Sequence, residues 1–204
     1  MKTARTILET LRSWERGKVF FYSDFDGVFG TEAVRQQMSR LCRSGEIIRC
    51  GVGIFYYPEI DTKYGFGIIP PTNKMIAEAY AEKQGIMLLP TKETAMNVVG
   101  LSTQNQLNAV YQTDGYSRKI QTGIGNGITL IHTSQSRLKL FRSKWMQMLA
   151  IALNGEHPDS LSDSDKGMLT KRIKGVSDSD FEHDIKLFSY EKQQMIRQCR
   201  TSHS

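Results

Sequence analysis

Cysteine, proline and long apolar runs are all scarce in this sequence. The three cysteines, Cys42, Cys50 and Cys199, are too few and too scattered for a disulfide framework, and they lack zinc-site spacing. That usage fits a reducing compartment, so a cytoplasmic location is expected. No stretch approaches the ~20 apolar residues of a membrane span, and the segment from Met1 is amphipathic rather than the apolar core of a signal peptide. No membrane partner is expected. His132, His157 and His183 are far apart, without metal-ligand spacing, so neither metal nor cofactor is expected. The loop Gly123-Ile124-Gly125-Asn126-Gly127 lacks the lysine and the following helix of a phosphate cradle. Asp163, Asp165 and Gly167 lack the glutamate that closes a calcium loop. No Ser/His/Asp order sits in a nucleophile-elbow context and no carboxylates cluster, so the chain is not expected to be an enzyme.

What is present is an ordinary globular composition with a basic balance. Hydrophobic residues make up 39% and charged residues 24%, enough apolar content to rule out a disordered chain. The formal net charge of +6 suits an anionic partner, of which nucleic acid is the commonest. Many soluble proteins are modestly basic, so charge alone does not decide.

Periodicity organises the chain. Ile7, Leu8, Leu11 and Trp14 form a helical stripe ended by Gly17, and Val19–Tyr22 is a short apolar run that reads as a strand or an extended entry. Ser23-Asp24 reads as the cap of a short helix carrying Phe25. Thr31 reads as the cap of a strong helix with Val34, Met38 and Leu41 on one face, stopped by Gly45. Two β-rich runs around Gly51-Val52-Gly53 predict a hairpin that ends at Pro58. Residues 59–69 are rich in turn formers and read as a linker. Beyond it, Thr72 opens a helix with Met75, Ile76, Ala79 and Tyr80 on one face. Ile86–Leu89 reads as a buried strand, and Pro90-Thr91 opens a second helix. Three strands are expected at Leu107–Thr113, Arg118–Thr122 and Ile128–His132, the last two joined by a type I′ turn at Asn126-Gly127. From Ser136 a helical stripe runs through Leu138, Phe141, Trp145, Met148, Leu149 and Ala152. Ser162–Asp165 and Ser177–Asp180 read as helix N-termini.

The expected fold class is therefore α+β. A winged helix-turn-helix over 1–58 is followed by a linker over 59–69. A mixed α/β domain with a small, mainly antiparallel sheet spans 70–135, and a helical C-terminal region packed on it spans 136–204.

The functional reading rests on the first of these. A helix, a turn, a second helix and a glycine-turned hairpin form the layout of a winged helix-turn-helix. The polar face of the second helix carries Glu32, Arg35, Gln36, Ser39 and Arg43, with Arg40 at its edge and Thr31 at its start. Arginine pairs two hydrogen bonds with a guanine edge and glutamine with an adenine edge, while serine and further arginines hold phosphates. Arg49 lies near the hairpin turn, where a basic side chain reaches backbone or minor groove. Any solvated amphipathic helix has such a face, so it is the ordered set that points to double-stranded DNA. Arg137, Lys139, Arg142 and Lys144 form a second basic run, read as an accessory phosphate-contacting face or as an ordinary solvated surface.

The runs Glu32-Ala33-Val34-Arg35, Leu41-Cys42-Arg43-Ser44-Gly45-Glu46-Ile47-Ile48-Arg49 and Gly53-Ile54-Phe55-Tyr56-Tyr57 resemble the winged N-terminal domain of AbiEi-type antitoxins. Further similarity lies in Ile69-Pro70-Pro71, Leu89-Pro90-Thr91, Asn97–Gln104 and Tyr111–Gly115, the pattern of the longer AbiEi-related proteins of Bacteroides-like bacteria. The resemblance implies a repressor of its own operon that is also the antitoxin of a type IV, abortive-infection system. The implied partners are operator DNA and a nucleotidyltransferase-like toxin, countered without a stable complex; a homodimer is a further expectation. Two alternatives stand beside it: a winged head fused to a nucleic-acid-processing enzyme, and a protein-interaction module without DNA binding.

Overall fold

The computed structural model describes residues 2–27, 29–103, 108–134 and 136–202, and of residues 2–6 and 136 the backbone alone. The architecture is mixed α+β, with small antiparallel sheets and a C-terminal helix. The chain divides into two compact units: Met1–Ile86 with Arg118–Thr129, and Met87–Ser117 with Leu130–Ser204.

In the first unit, α1 (Lys2–Ser13) buries Ile7 and Leu11 completely. After β1 (Lys18–Phe21), a 3-10 turn spans Tyr22–Phe25. Its capping position is Phe21, two residues earlier than the sequence suggests. The Asp24 carboxylate reaches back and accepts the Phe21 N–H at 2.8 Å, so Asp24 lies inside the turn. Next, α2 (Thr31–Arg43) buries Val34, Met38 and Leu41, as their spacing predicts. Thr31 is its first helical residue and not its cap. Gly30 holds the extended capping conformation, and no side chain caps the helix. The hairpin of β2 (Ile48–Gly51) and β3 (Ile54–Tyr57) completes an antiparallel sheet of order β1-β3-β2. Aromatic packing closes this core: Phe20 stacks on Phe55 at 5.6 Å, and Trp14 meets Phe20 edge-on at 5.4 Å.

Residues 59–69, read as a linker, form a second hairpin of β4 (Glu59–Asp61) and β5 (Gly67–Ile69). The Asp61 carboxylate accepts the backbone N–H groups of Lys63, Tyr64 and Phe66 at 2.9 to 3.2 Å, and this closes the loop. Those bonds, with Phe66 foremost, hold the Asp61 carboxyl below its usual range. Then α3 (Asn73–Gln84) starts at Thr72, whose hydroxyl accepts the Met75 N–H at 3.2 Å. It buries Ile76, Ala77 and Ala81, whereas Met75, Ala79 and Tyr80 are half-buried.

The later segment 118–129 also belongs to this unit, across the boundary that the sequence places at 70–135. Side-chain amide chemistry explains it. Asn73 donates from Nδ2 to the Ile124 carbonyl at 3.1 Å and accepts from the Thr122 hydroxyl at 2.8 Å. Gly51 and Thr122 form an antiparallel bridge, and the Gly123 N–H donates to the Cys50 carbonyl at 3.1 Å. These are contacts between residues about 50 to 70 positions apart, which local patterning does not encode. Asn126-Gly127 is not the expected type I′ turn, because Asn126 lacks the positive φ that turn demands. Gly125 (φ +50°) and Gly127 (φ +75°) carry the left-handed geometry instead.

In the second unit, β6 (Leu89–Pro90) pairs with β7 (Ala109–Thr113). Of the strand expected over Ile86–Leu89 only Leu89 joins the ladder, which Pro90 extends, and the Met87 N–H donates instead to the Asp114 carboxylate at 2.6 Å. Leu107, where β7 was expected to start, lies outside the described residues. Between them, α4 (Lys92–Val99) is capped by Thr91. After β8 (Arg118–Ile120), the unit division falls within β9 (Ile128–His132), after Thr129. Among the described residues four α-helices follow: α5 (Lys144–Ala152), α6 (Asp163–Ile173), α7 (Asp178–Asp184) and α8 (Tyr190–Thr201). With α4 they bury Val99, Met146, Leu149, Ile173, Phe181, Ile185 and Ile196. Ser162 and Ser177 cap α6 and α7 as the sequence predicts.

The helical stripe read from Ser136 to Ala152 is broken. A 3-10 turn covers Ser136–Leu140, and α5 starts afresh after Ser143, whose hydroxyl accepts the Met146 N–H at 3.3 Å. The break is held by fully buried Asp184, which accepts the N–H groups of Arg142 at 2.9 Å and Ser143 at 2.8 Å. Two backbone donors committed to a carboxylate cannot continue a helical ladder.

Candidate nucleic-acid interface

The site is built on α2. Docking Val34, Met38 and Leu41 into the core fixes the helix's rotation, so the residues between them must face outward. Thr31, Glu32, Arg35, Gln36, Ser39, Arg40 and Arg43 are all exposed. Gln36 donates to the Glu32 carboxylate one turn earlier, at 3.4 Å. Among the described residues, Arg35, Arg40 and Arg43 have no side-chain hydrogen bond or ion pair within the chain. From Arg35 to Arg43 the helix rises about 12 Å, comparable to the width of the major groove of B-DNA.

The β2–β3 hairpin adds Arg49, exposed, with Nε donating to the Gly51 carbonyl at 3.3 Å. That bond folds the side chain along a bulge between Arg49 and Gly51. Gly51 matters here for close approach: a Cβ on it would lie 2.7 Å from the Gln121 carbonyl oxygen. The outer edge of β2 is thereby closed by residues 121–123, and Val52 projects from the tip into solvent. Cys42 and Cys50 sit behind this surface. Burial raises both thiols, Cys50 to about 11, so neither is a thiolate nucleophile at neutral pH.

The second basic run does not form one face. Arg137 and Lys139 lie in the 3-10 turn, Arg142 in the link after it, and Lys144 begins α5. Lys139 pairs with Asp114, and this pairing is the foremost reason that the Asp114 carboxyl is held below its usual range. Arg137 instead lines a cleft of about 390 Å³ with Leu138, Phe141, Phe188 and Lys192. Arg118 and Lys119 fall, by local pattern, within the 70–135 domain and apart from α2. Both are exposed and belong to the α2 unit, with Arg118 donating to the Tyr80 hydroxyl. No local signal could have placed them there. Among the described residues, no group of three or more His, Cys, Asp or Glu side chains could hold a metal ion, and no helix is long and apolar enough to cross a membrane.

Fold and surface together define a mixed α+β protein with a basic, outward-facing helix beside a glycine-turned hairpin. The chain belongs to DUF6088, a family of unknown function whose model matches residues 6–177. No curated protein and no solved structure matches it.

Proposed function

We propose that this chain is a sequence-specific DNA-binding regulator with a winged helix-turn-helix head, in which α2 enters the major groove and the β2–β3 hairpin steadies the flanking backbone. One observation carries the reading: among the described residues, three arginines on the exposed face of α2 have no hydrogen-bond or ion-pair partner for their side chains, while the opposite face is locked into the core. A cation kept free of carboxylates is available to phosphate or guanine, and its helix cannot rotate away. The only acid on that face, Glu32, holds Gln36 weakly, and Gln36 is free to exchange this bond for an adenine edge. The resemblance to AbiEi-type antitoxins extends the proposal to repression of the chain's own operon and antagonism of a nucleotidyltransferase-like toxin.

Fluorescence anisotropy on the DNA upstream of the gene, against a scrambled duplex, tests the first part. Gln36→Ala weakens the cognate duplex by about 1–3 kcal/mol and leaves the scrambled one nearly unchanged, as a base contact requires. Arg43→Ala weakens both alike, as a phosphate contact does. No binding to either duplex at low salt overturns the proposal. For the second part, the full chain carrying Arg35→Ala, Arg40→Ala and Arg43→Ala is co-expressed with a nucleotidyltransferase-like product of a neighbouring gene. Restored growth assigns toxin antagonism to a mechanism other than DNA binding. No rescue by this variant or by the wild-type chain removes the antitoxin reading and leaves the DNA reading standing.

A further inference from the structure

The cleft beside Arg137 lies wholly in the second unit, and its volume of about 390 Å³ is within the range of small-molecule sites. Leu138, Phe141 and Phe188 form its apolar wall, the two rings meeting edge to face at 5.5 Å. The wall is pinned to helices. Gln147 of α5 donates to the Leu138 carbonyl at 2.8 Å, and Gln193 of α8 donates to the Phe188 carbonyl at 2.9 Å. Charge in the cleft has one sign, because Arg137 and Lys192 line it and no carboxylate does. Lys192 is half-buried, and its ammonium donates to the Leu153 carbonyl at 2.6 Å. That bond fixes the ammonium at the end of α5 and leaves two of its three N–H groups for another acceptor. Glu156, the carboxylate on which Lys192 acts through space, is taken by Lys92. Arg137 has no side-chain hydrogen bond or ion pair among the described residues, although Lys139, two positions on, is paired with Asp114. A surface cation ordinarily faces open water. These two come from different segments and face the same apolar concavity.

We propose that this cleft binds a small organic anion, with a carboxylate or phosphate head held by Arg137 and Lys192 and an aromatic body packed on Leu138, Phe141 and Phe188. The guanidinium fork matches two oxygens of either head, and the ammonium adds a point charge beside it. Asn154 and Ser189 also line the cleft, and among the described residues their side chains have no hydrogen-bond partner. They supply further donors to the head. The body is aromatic because a third ring extends the edge-to-face pair of Phe141 and Phe188 in a favourable geometry. Apolar walls with a few convergent polar groups are the usual make-up of a site that orients a small molecule. Because both carbonyls behind the wall are already bonded, binding orders little of the protein, which favours affinity. The site uses nothing of α2, so it stands or falls apart from DNA binding.

The test is isothermal titration calorimetry of the full chain, without DNA, against 2-naphthoate, 2-naphthyl phosphate, 2-naphthylmethanol and inorganic phosphate. At least one of the two naphthyl anions binds, and the tighter of them identifies the head group. The neutral alcohol and inorganic phosphate each bind at least tenfold more weakly, because each lacks half of what the cleft recognises. Arg137→Ala weakens the better naphthyl anion at least tenfold. Since Arg137 is exposed and unbonded, this variant keeps the wild-type melting midpoint. Ala150→Leu fills the cleft without changing its charge and weakens the same anion at least as much. Lys144→Ala removes an exposed cation outside the cleft and leaves the affinity unchanged. No binding of either naphthyl anion at 5 mM overturns the proposal. So does an alcohol or inorganic phosphate that binds as tightly as the naphthyl anions, or binding that survives Arg137→Ala or Ala150→Leu.

Discussion

Removing the Asp184 carboxylate should loosen the second unit more than any other single polar substitution in it. The side chain is fully buried and accepts the N–H groups of Arg142 at 2.9 Å and Ser143 at 2.8 Å, with the His183 ring nitrogen 2.8 Å from the same carboxylate. Hydrogen bonds to a charged acceptor contribute about 1.5–3 kcal/mol each, and a buried donor left without a partner costs about 1–3 kcal/mol. Two backbone donors are at stake in Asp184→Ala. The gain is offset in the wild-type protein by the cost of burying a carboxylate. The net loss should be about 3 kcal/mol, and Asp184→Asn, which keeps one acceptor oxygen, should lose about 2 kcal/mol. Urea unfolding reads this if Trp145 reports alone, which Trp14→Phe arranges. With a slope of about 2 kcal/mol per molar urea, the alanine midpoint falls by roughly 1.5 M. A midpoint within 0.2 M of the parent, roughly 0.4 kcal/mol at that slope, would refute the clamp as the reason for the break before α5.

Three further outcomes follow from named contacts. Asp114 has a folded pKa below its unfolded value, chiefly through Lys139, so its contribution is present above the ordinary carboxylate value of about 4 and is lost as pH falls through the lowered folded value. Asp114→Asn should therefore lower the melting midpoint at pH 7, with the gap to wild type closing as pH drops below about 4; an equal gap at pH 2.5 contradicts this. Gly127→Ala places a Cβ 2.5 Å from the Ile120 carbonyl oxygen at φ +75°, and should cost about 2 kcal/mol or more in the first unit, measured by urea unfolding. Thr72→Ala removes the acceptor for the Met75 N–H and should cost about 1 kcal/mol, while Thr72→Ser restores most of it.

Local chemistry was legible in the sequence and long-range chemistry was not. The stripe Val34, Met38 and Leu41, the caps Thr72, Thr91, Ser162 and Ser177, and the hairpin around Gly51-Val52-Gly53 each depend on residues within four positions of one another. The break before α5 depends on a carboxylate 41 residues away from Ser143. The membership of 118–129 in the first unit depends on Asn73 and Gly51. The hairpin over 59–69 was hidden because Asp61, Gly65 and Gly67 are turn formers, and turn formers mark a flexible linker and a tight ribbon alike. For the candidate site, the face of α2 was legible because amphipathic spacing fixes both sides of a helix at once. The separation of Arg137 and Lys139 from Lys144 was not, because it inherits the break that Asp184 makes.

The salt dependence of DNA affinity tests the central claim most directly. If Arg35, Arg40, Arg43 and Arg49 each neutralise one phosphate, log affinity should fall with log salt at a slope of about −3.6, a loss of roughly 150-fold between 50 and 200 mM. The triple variant Arg35→Ala, Arg40→Ala, Arg43→Ala should bind weakly with a slope near −0.9, because one contact remains. An unchanged slope in the triple variant, or no binding by the wild-type chain at 50 mM salt, would contradict the assignment of α2 as the DNA-reading helix.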